Sequence, residues 1–278
     1  MDRRTFLEAS VVTAFAAALP ARSVESVHRI ERVGLQLYTV RHALEKEFAA
    51  TLAKVSAIGY REMEFAGYFG HPPKEIRSTL DRCGLTAPSA HIDYEIVEKQ
   101  WPQTLEAAHI VGHSYLICGW LEDSLRLQPD IWKRTADLFN RAGEASRKAG
   151  IQFGHHNYDY EYQPAESLGG KLPYDFLLAE TDPQLVQMEM DLYWITFAGK
   201  DPLTYFDRYP GRFPLVHVKD MTRDHRMTEA GSGVIDWKRI FAQSAKAGIK
   251  HYFVEHDEPV SPFDSIRKSF NYLRELRF

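Results

Sequence analysis

From Arg32 onward the chain alternates short apolar runs with polar turns and amphipathic segments. The strand-like runs are Val33 to Tyr38, Glu62 to Phe65, Thr86 to His91, Ser114 to Cys118, Ile151 to His156, Leu185 to Met190, Leu215 to Val218 and Tyr252 to Glu255. Between them the spacing predicts helices such as Phe48 to Ile58, Pro73 to Cys83, Trp101 to Ile110, Ile131 to Ala149, Pro202 to Arg208, Trp237 to Ala247 and Pro262 to Leu276. Gly59, Gly84, Gly150 and Gly248 stand where a helix hands over to a strand, the place for a residue that tolerates a left-handed backbone. Eight strand–helix units in about 250 residues predict one domain, a single (β/α)8 TIM barrel over residues 29–278. An open doubly wound sheet is the rival, but no G-x-G-x-x-G follows the first run.

The first 28 residues break the pattern. Arg3-Arg4 precedes Phe6-Leu7, an apolar run from Val11 to Leu19, and Pro20-Ala21. A charged start, an apolar segment shorter than the roughly 20 residues that span a bilayer, and small residues at a cleavage point predict a twin-arginine (Tat) signal peptide over residues 1–28 and export to the periplasm. No other segment is apolar enough to cross a membrane. With 44% hydrophobic residues the chain can bury a large core, and a net charge of -4 gives no basic field for nucleic acid. Cys83 and Cys118 lie far apart, so neither a disulfide framework nor a zinc–thiolate site is indicated, and both are expected to be buried thiols. The aromatic content is compatible with a homodimer.

Polar residues recur at the ends of the runs. In Arg212 to Asp220, RFPLVHVKD, alternation puts His217 and Lys219 on one face and the valines on the other. A barrel gathers all its C-terminal strand ends at one mouth. Those ends are Gln36 and Tyr38, Glu64, His91, His156 followed by Glu161, Asp191, His217 with Lys219, and Glu255. Crowded carboxylates need a cation or a shared proton, and an oxygen and imidazole set without thiolates suits one divalent ion: Mn²⁺ first, with Mg²⁺, Zn²⁺, Co²⁺ or Fe²⁺ as alternatives. The ligand set read from the residues is Glu161 or His156, then Asp191, His217 and Glu255. Taken singly, Asp191 could equally be a helix N-cap ahead of Leu192-Tyr193-Trp194.

The segments GLQLYTVR (34–41), MEFAG (63–67), HNYDYEY (156–162), MDLYW (190–194), HVKD (217–220) and GSGVIDW (231–237) together resemble the xylose isomerase-like TIM barrels, and within them the sugar phosphate isomerases/epimerases. The resemblance spans the chain from about Val33 to the end. It implies one metal ion held by two acids, an Asp and a His, which fall here on a fifth-strand residue, Asp191, His217 and Glu255. Glu161 is preferred for the fifth strand because a carboxylate matches the family's chemistry. It further implies proton abstraction beside a sugar carbonyl, with Glu64, His91, His156 and Lys219 as the candidate proton carriers. Gln36, Tyr38, Trp120 and Trp194 are the expected substrate contacts.

No Gly-rich phosphate cradle is present, and an exported enzyme meets unphosphorylated sugars. A keto-sugar or 3-keto-glycoside is therefore the expected substrate, isomerised or epimerised. A metal-dependent lyase acting by β-elimination is the alternative, a non-catalytic sugar-binding protein the second. Phosphodiester hydrolysis would require several metals and a basic surface.

Overall fold

A computed structural model of the chain describes residues 28–278, so nearly all of the expected export signal lies outside the described residues. Eight parallel strands form a closed barrel: β1 (Val33–Gln36), β2 (Glu62–Ala66), β3 (Thr86–Ile92), β4 (Tyr115–Cys118), β5 (Gln152–His156), β6 (Val186–Asp191), β7 (Leu215–Val218) and β8 (His251–Val254). Each strand pairs with its chain neighbours, and β1 closes the ring on β8, with Val33 beside Tyr252 and Leu35 beside Val254. The predicted strands all form. The first is two residues shorter than expected, because Gln36 Oε1 accepts from the Tyr38 backbone N–H at 3.1 Å and turns the chain into a short 3-10 segment, Leu37–Val40. Helices Phe48–Ile58, Pro73–Cys83 and Pro202–Arg208 have the bounds the pattern predicts. The helix expected over 237–247 is two pieces, Trp237–Phe241 and Ser244–Ala247. Cys118 is buried, whereas Cys83, near a helix C-terminus, is only half-buried, a correction to the expectation for that thiol.

Side chains alternate between the barrel interior and the helical shell, and the interior has two halves. Tyr115, Ile117, Leu215 and Phe253 form an apolar cluster separate from the main core beneath the helices. Glycines make room for it: a Cβ on Gly34 would sit 2.5 Å from the Phe253 ring, and one on Gly154 would sit 2.6 Å from Ile117 Cδ1. Two residues further along these strands the interior turns polar, with Gln36, His156, His217 and Glu255 all buried.

After β7, the Asp220 carboxylate organises the next loop. Its Oδ1 accepts from the backbone N–H groups of Met221 and Ile235, and its Oδ2 accepts from those of Gly231 and Gly233 and from Trp237 Nε1. Gly233 is required by this close approach, since a Cβ there would lie 2.3 Å from Asp220 Oδ1. The HVKD and GSGVIDW motifs thus meet at one carboxylate, and the chain between them forms a small ribbon that pairs Asp220–Met221 with Met227–Thr228.

Candidate metal centre and substrate cavity

His217 sits at the middle of the mouth, and its two ring nitrogens face different surroundings. Nδ1 lies 2.8 Å from Glu255 Oε2, 3.1 Å from His156 Nε2 and 3.5 Å from Asp191 Oδ2. One ligand atom from each of His156, Asp191, His217 and Glu255 lies within 4.8 Å of all the others, a grouping that could hold a metal ion. The donor chemistry fits a divalent ion, with two carboxylates and two imidazoles and no thiolate. Burial, aided by the neighbouring His217, pushes His156 down to about 4, so its imidazole is neutral, the form that ligates. Asp191 also caps the helix Leu192–Phe197, its Oδ1 accepting from Tyr193 and Trp194 N–H while Oδ2 faces the cluster. Cap and candidate ligand are two oxygens of one side chain.

On the other side, His217 Nε2 lies 2.6 Å from Glu64 Oε2 and 3.3 Å from Glu189 Oε2. Glu189 Oε2 in turn lies 2.6 Å from His91 Nε2. Burial and the adjacent Glu189 raise the Glu64 carboxyl. Burial opposes charge on His91, yet Glu64 and Glu189 together lift it above its ordinary value. This arrangement can hold a proton on Nε2 and leave Nδ1 free to bind, since the tautomer follows the partner of the other nitrogen.

Lys219 Nζ rests 2.6 Å from Glu255 Oε2, 2.9 Å from Asp191 Oδ2 and 3.0 Å from Asp257 Oδ1. Burial alone would discharge this ammonium, but the carboxylates of Asp191, Asp257 and Glu255 hold it well above the ordinary lysine range. The Asp191 carboxyl stays well below its usual value, because Lys219 and the hydrogen bonds from His156 and His217 overcome the burial that would raise it.

The cluster opens into a cavity of about 740 Å³. His91, His156 and Glu255 line it, as do Gln36, Tyr38 and Trp120. Trp194 lies behind this wall, its ring 5.6 Å from that of Tyr158 and 5.7 Å from Lys219 Nζ. Glu64 is buried beneath His217 and does not line the cavity, so the structure places it as a partner of the imidazole and not where a substrate proton would be taken.

Glu161 is the clearest correction. It turns away from the other ligand atoms, its Oε2 lying 3.0 Å from His155 Nε2 and its Oε1 accepting from the Tyr158 N–H. Five residues of loop carry it past the mouth, and the fifth-strand atom that reaches the cluster is His156 Nε2. Two residues escaped the sequence reading. Glu189 stands two positions before Asp191 in VQMEMD, so the same alternation that exposes Asp191 to the interior also turns Glu189 inward. Asp257 lies beyond the end of β8, where no strand periodicity marks it.

A solved structure titled sugar phosphate isomerase/epimerase, from Parabacteroides distasonis, is 28% identical, covers 88% of this chain and 98% of its own, and superposes with a TM-score of 0.77. A protein named inosose dehydratase from Lacticaseibacillus casei is 25% identical over 273 residues, covering 82% of this chain and 89% of the relative. One of the same name from Geobacillus thermodenitrificans is 25% identical over 274 residues, covering 83% of this chain and 90% of the relative. The sequence profile of the xylose isomerase-like TIM barrel family matches residues 52–276, and with the closed eight-stranded barrel this shows that the chain belongs to that family.

Proposed function

We propose that the protein is a divalent-metal-dependent enzyme that moves a proton next to the carbonyl of a keto-sugar or 3-keto-glycoside. The observation that carries this reading is the meeting of four ligand atoms, from His156, Asp191, His217 and Glu255, beside a sugar-sized cavity that Glu255 and Asp257 line, with the Lys219 ammonium buried directly behind those two carboxylates. A bound divalent ion would supply Lewis acidity to the substrate's carbonyl and hydroxyl oxygens, which makes the neighbouring C–H acidic. Asp257, on the cavity wall, takes the substrate proton, and the Lys219 ammonium, 3.0 Å from its Oδ1, supplies a proton in return. Glu64 keeps the proton on His217 Nε2, and His91, which also lines the cavity, is the second proton carrier. Two separate carriers serve epimerisation or isomerisation, the reading in keeping with the Parabacteroides relative's title. The inosose dehydratase relatives support the second reading, β-elimination, in which the same two groups act as base and as acid to the departing hydroxyl.

The test is exchange in D₂O across a panel of keto-sugars and 3-keto-glycosides. Metal-dependent uptake of deuterium at the carbon beside the carbonyl is expected, and Lys219→Met should abolish it while metal stays bound. Tight sugar binding with no exchange anywhere would sink the catalytic reading in favour of a binding protein. Loss of water or aglycone alongside exchange would identify the lyase. Export through a twin-arginine signal remains our proposal for residues 1–28, checked by a reporter fusion in which Arg3→Lys with Arg4→Lys should block transport.

A further inference from the structure

We propose that the cavity carries a second subsite, for the aglycone or second ring of an uncharged glycoside, formed where the two helices after β3 face it. The inference rests on the reading above for the chemistry at the metal-ligand group. A cavity of about 740 Å³ is in the upper part of the ~300–1,000 Å³ that encloses drug-sized ligands, and one hexose ring fills only a fraction of it. The metal-ligand candidates His156 and Glu255 line it. So do the helices Tyr94–Lys99 and Trp101–Val111, through Ile96, Gln100, Gln103, Thr104 and Ala107, none of which belongs to the metal-ligand group.

This helical wall has the composition that recognises a sugar or a neutral aglycone. Ile96 and Ala107 give it apolar surface, and the Gln100 and Gln103 side-chain amides make no hydrogen bond within the described residues. The Thr104 hydroxyl donates to the Gln100 carbonyl at 2.9 Å and keeps its lone pairs for a ligand. Tyr68, also on the cavity, has a buried hydroxyl without a partner among the described residues. Among the described residues no lysine or arginine lines the cavity, whereas Asp93, Glu255 and Asp257 do, so a phosphate ester would meet carboxylates in place of cations. Neutral donors and acceptors at a site built for hydroxyls discriminate strongly, because an analogue that lacks the second unit leaves them unmatched.

Calorimetric titration of the metal-loaded protein with a free 3-keto-hexose and with a 3-keto-disaccharide tests the subsite apart from the chemistry. The disaccharide should bind about tenfold or more tightly. That ratio should fall towards one in Ala107→Trp, which fills the arm, and in the double variant Gln103→Ala with Thr104→Val, which strips its polar groups at the helix surface and keeps the fold. Equal affinity for the two sugars, or a ratio that both variants leave intact, overturns the subsite. Deuterium exchange on the same two compounds reports separately: exchange with equal affinities removes the subsite alone, and a preserved preference without exchange removes the catalytic reading alone.

Discussion

The lower and upper halves of the barrel interior lie two residues apart on the same strands and are built on opposite terms. Leu215 and Phe253 fill the lower half with hydrocarbon against Tyr115 and Ile117, where dispersion and burial do the work. His217 and Glu255, the next inward residues on those strands, belong to a buried set of acids and imidazoles that is tolerable only because each member touches an opposite partner. The plug below fixes the spacing of the strands, and the cluster above uses that spacing to bring its candidate ligand atoms together. Stability and function are therefore segregated by height within the barrel, and substitutions should separate them.

The largest effect expected is on metal. Asp191→Asn with His217→Ala should reduce bound divalent ion from about one per chain to none, read by elemental analysis of purified protein; stoichiometric metal in this variant would refute the cluster. In the lower half Phe253→Ala should cost about 3–5 kcal/mol of unfolding free energy in denaturant titrations while metal content is unchanged at temperatures where the protein stays folded. An equal loss of metal and stability would show that the two halves are not separable. Smaller than either, Glu64→Gln should weaken metal affinity about 10- to 100-fold without emptying the site at saturating metal, because it disturbs the partner of His217 Nε2 and leaves His156, Asp191, His217 and Glu255 in place.

The smallest effect expected lies outside the barrel interior and calibrates the others. His113 is buried against Phe65 and Tyr68, with Nδ1 on the Ala87 carbonyl and Nε2 without a partner among the described residues. Burial pushes it down to about 4, with Arg77 adding to the shift and the Ala87 carbonyl opposing it. A folded value below the unfolded one means that the unfolded chain binds the extra proton. The contribution is thus fully present above about pH 6.5 and is lost as pH falls towards 4. His113→Leu should flatten that part of the pH–stability curve, and identical curves would rule the group out.

The barrel was legible because period-2 runs and helix-closing glycines are local signals, and they predicted all eight strands. Helix 237–247 was overread, since an apolar pattern cannot register the interruption at 242–243. At the site, alternation brought Asp191, His217, Lys219 and Glu255 to one place, as read from RFPLVHVKD and the other strand ends. Glu161 misled because loop geometry, unlike strand periodicity, leaves no trace in residue spacing, and analogy to a carboxylate ligand took its place. Glu64 was visible as a strand-end acid, but its position beneath His217 depends on how far β2 is staggered against β7, which no local pattern encodes.

The five hydrogen bonds gathered by Asp220 have one more consequence, in the accessibility of the chain to proteases. The segment they enclose carries Arg223 and Arg226, both exposed and both trypsin sites, on a ribbon of two residue pairs. Cleavage there requires local opening, and the carboxylate that sets the frequency of opening is the immediate neighbour of Lys219. The rate of nicking at Arg223 and Arg226 is therefore a clock for the rigidity of the strand end that carries Lys219, and Asp220→Asn should make it run fast before any change in global melting is seen.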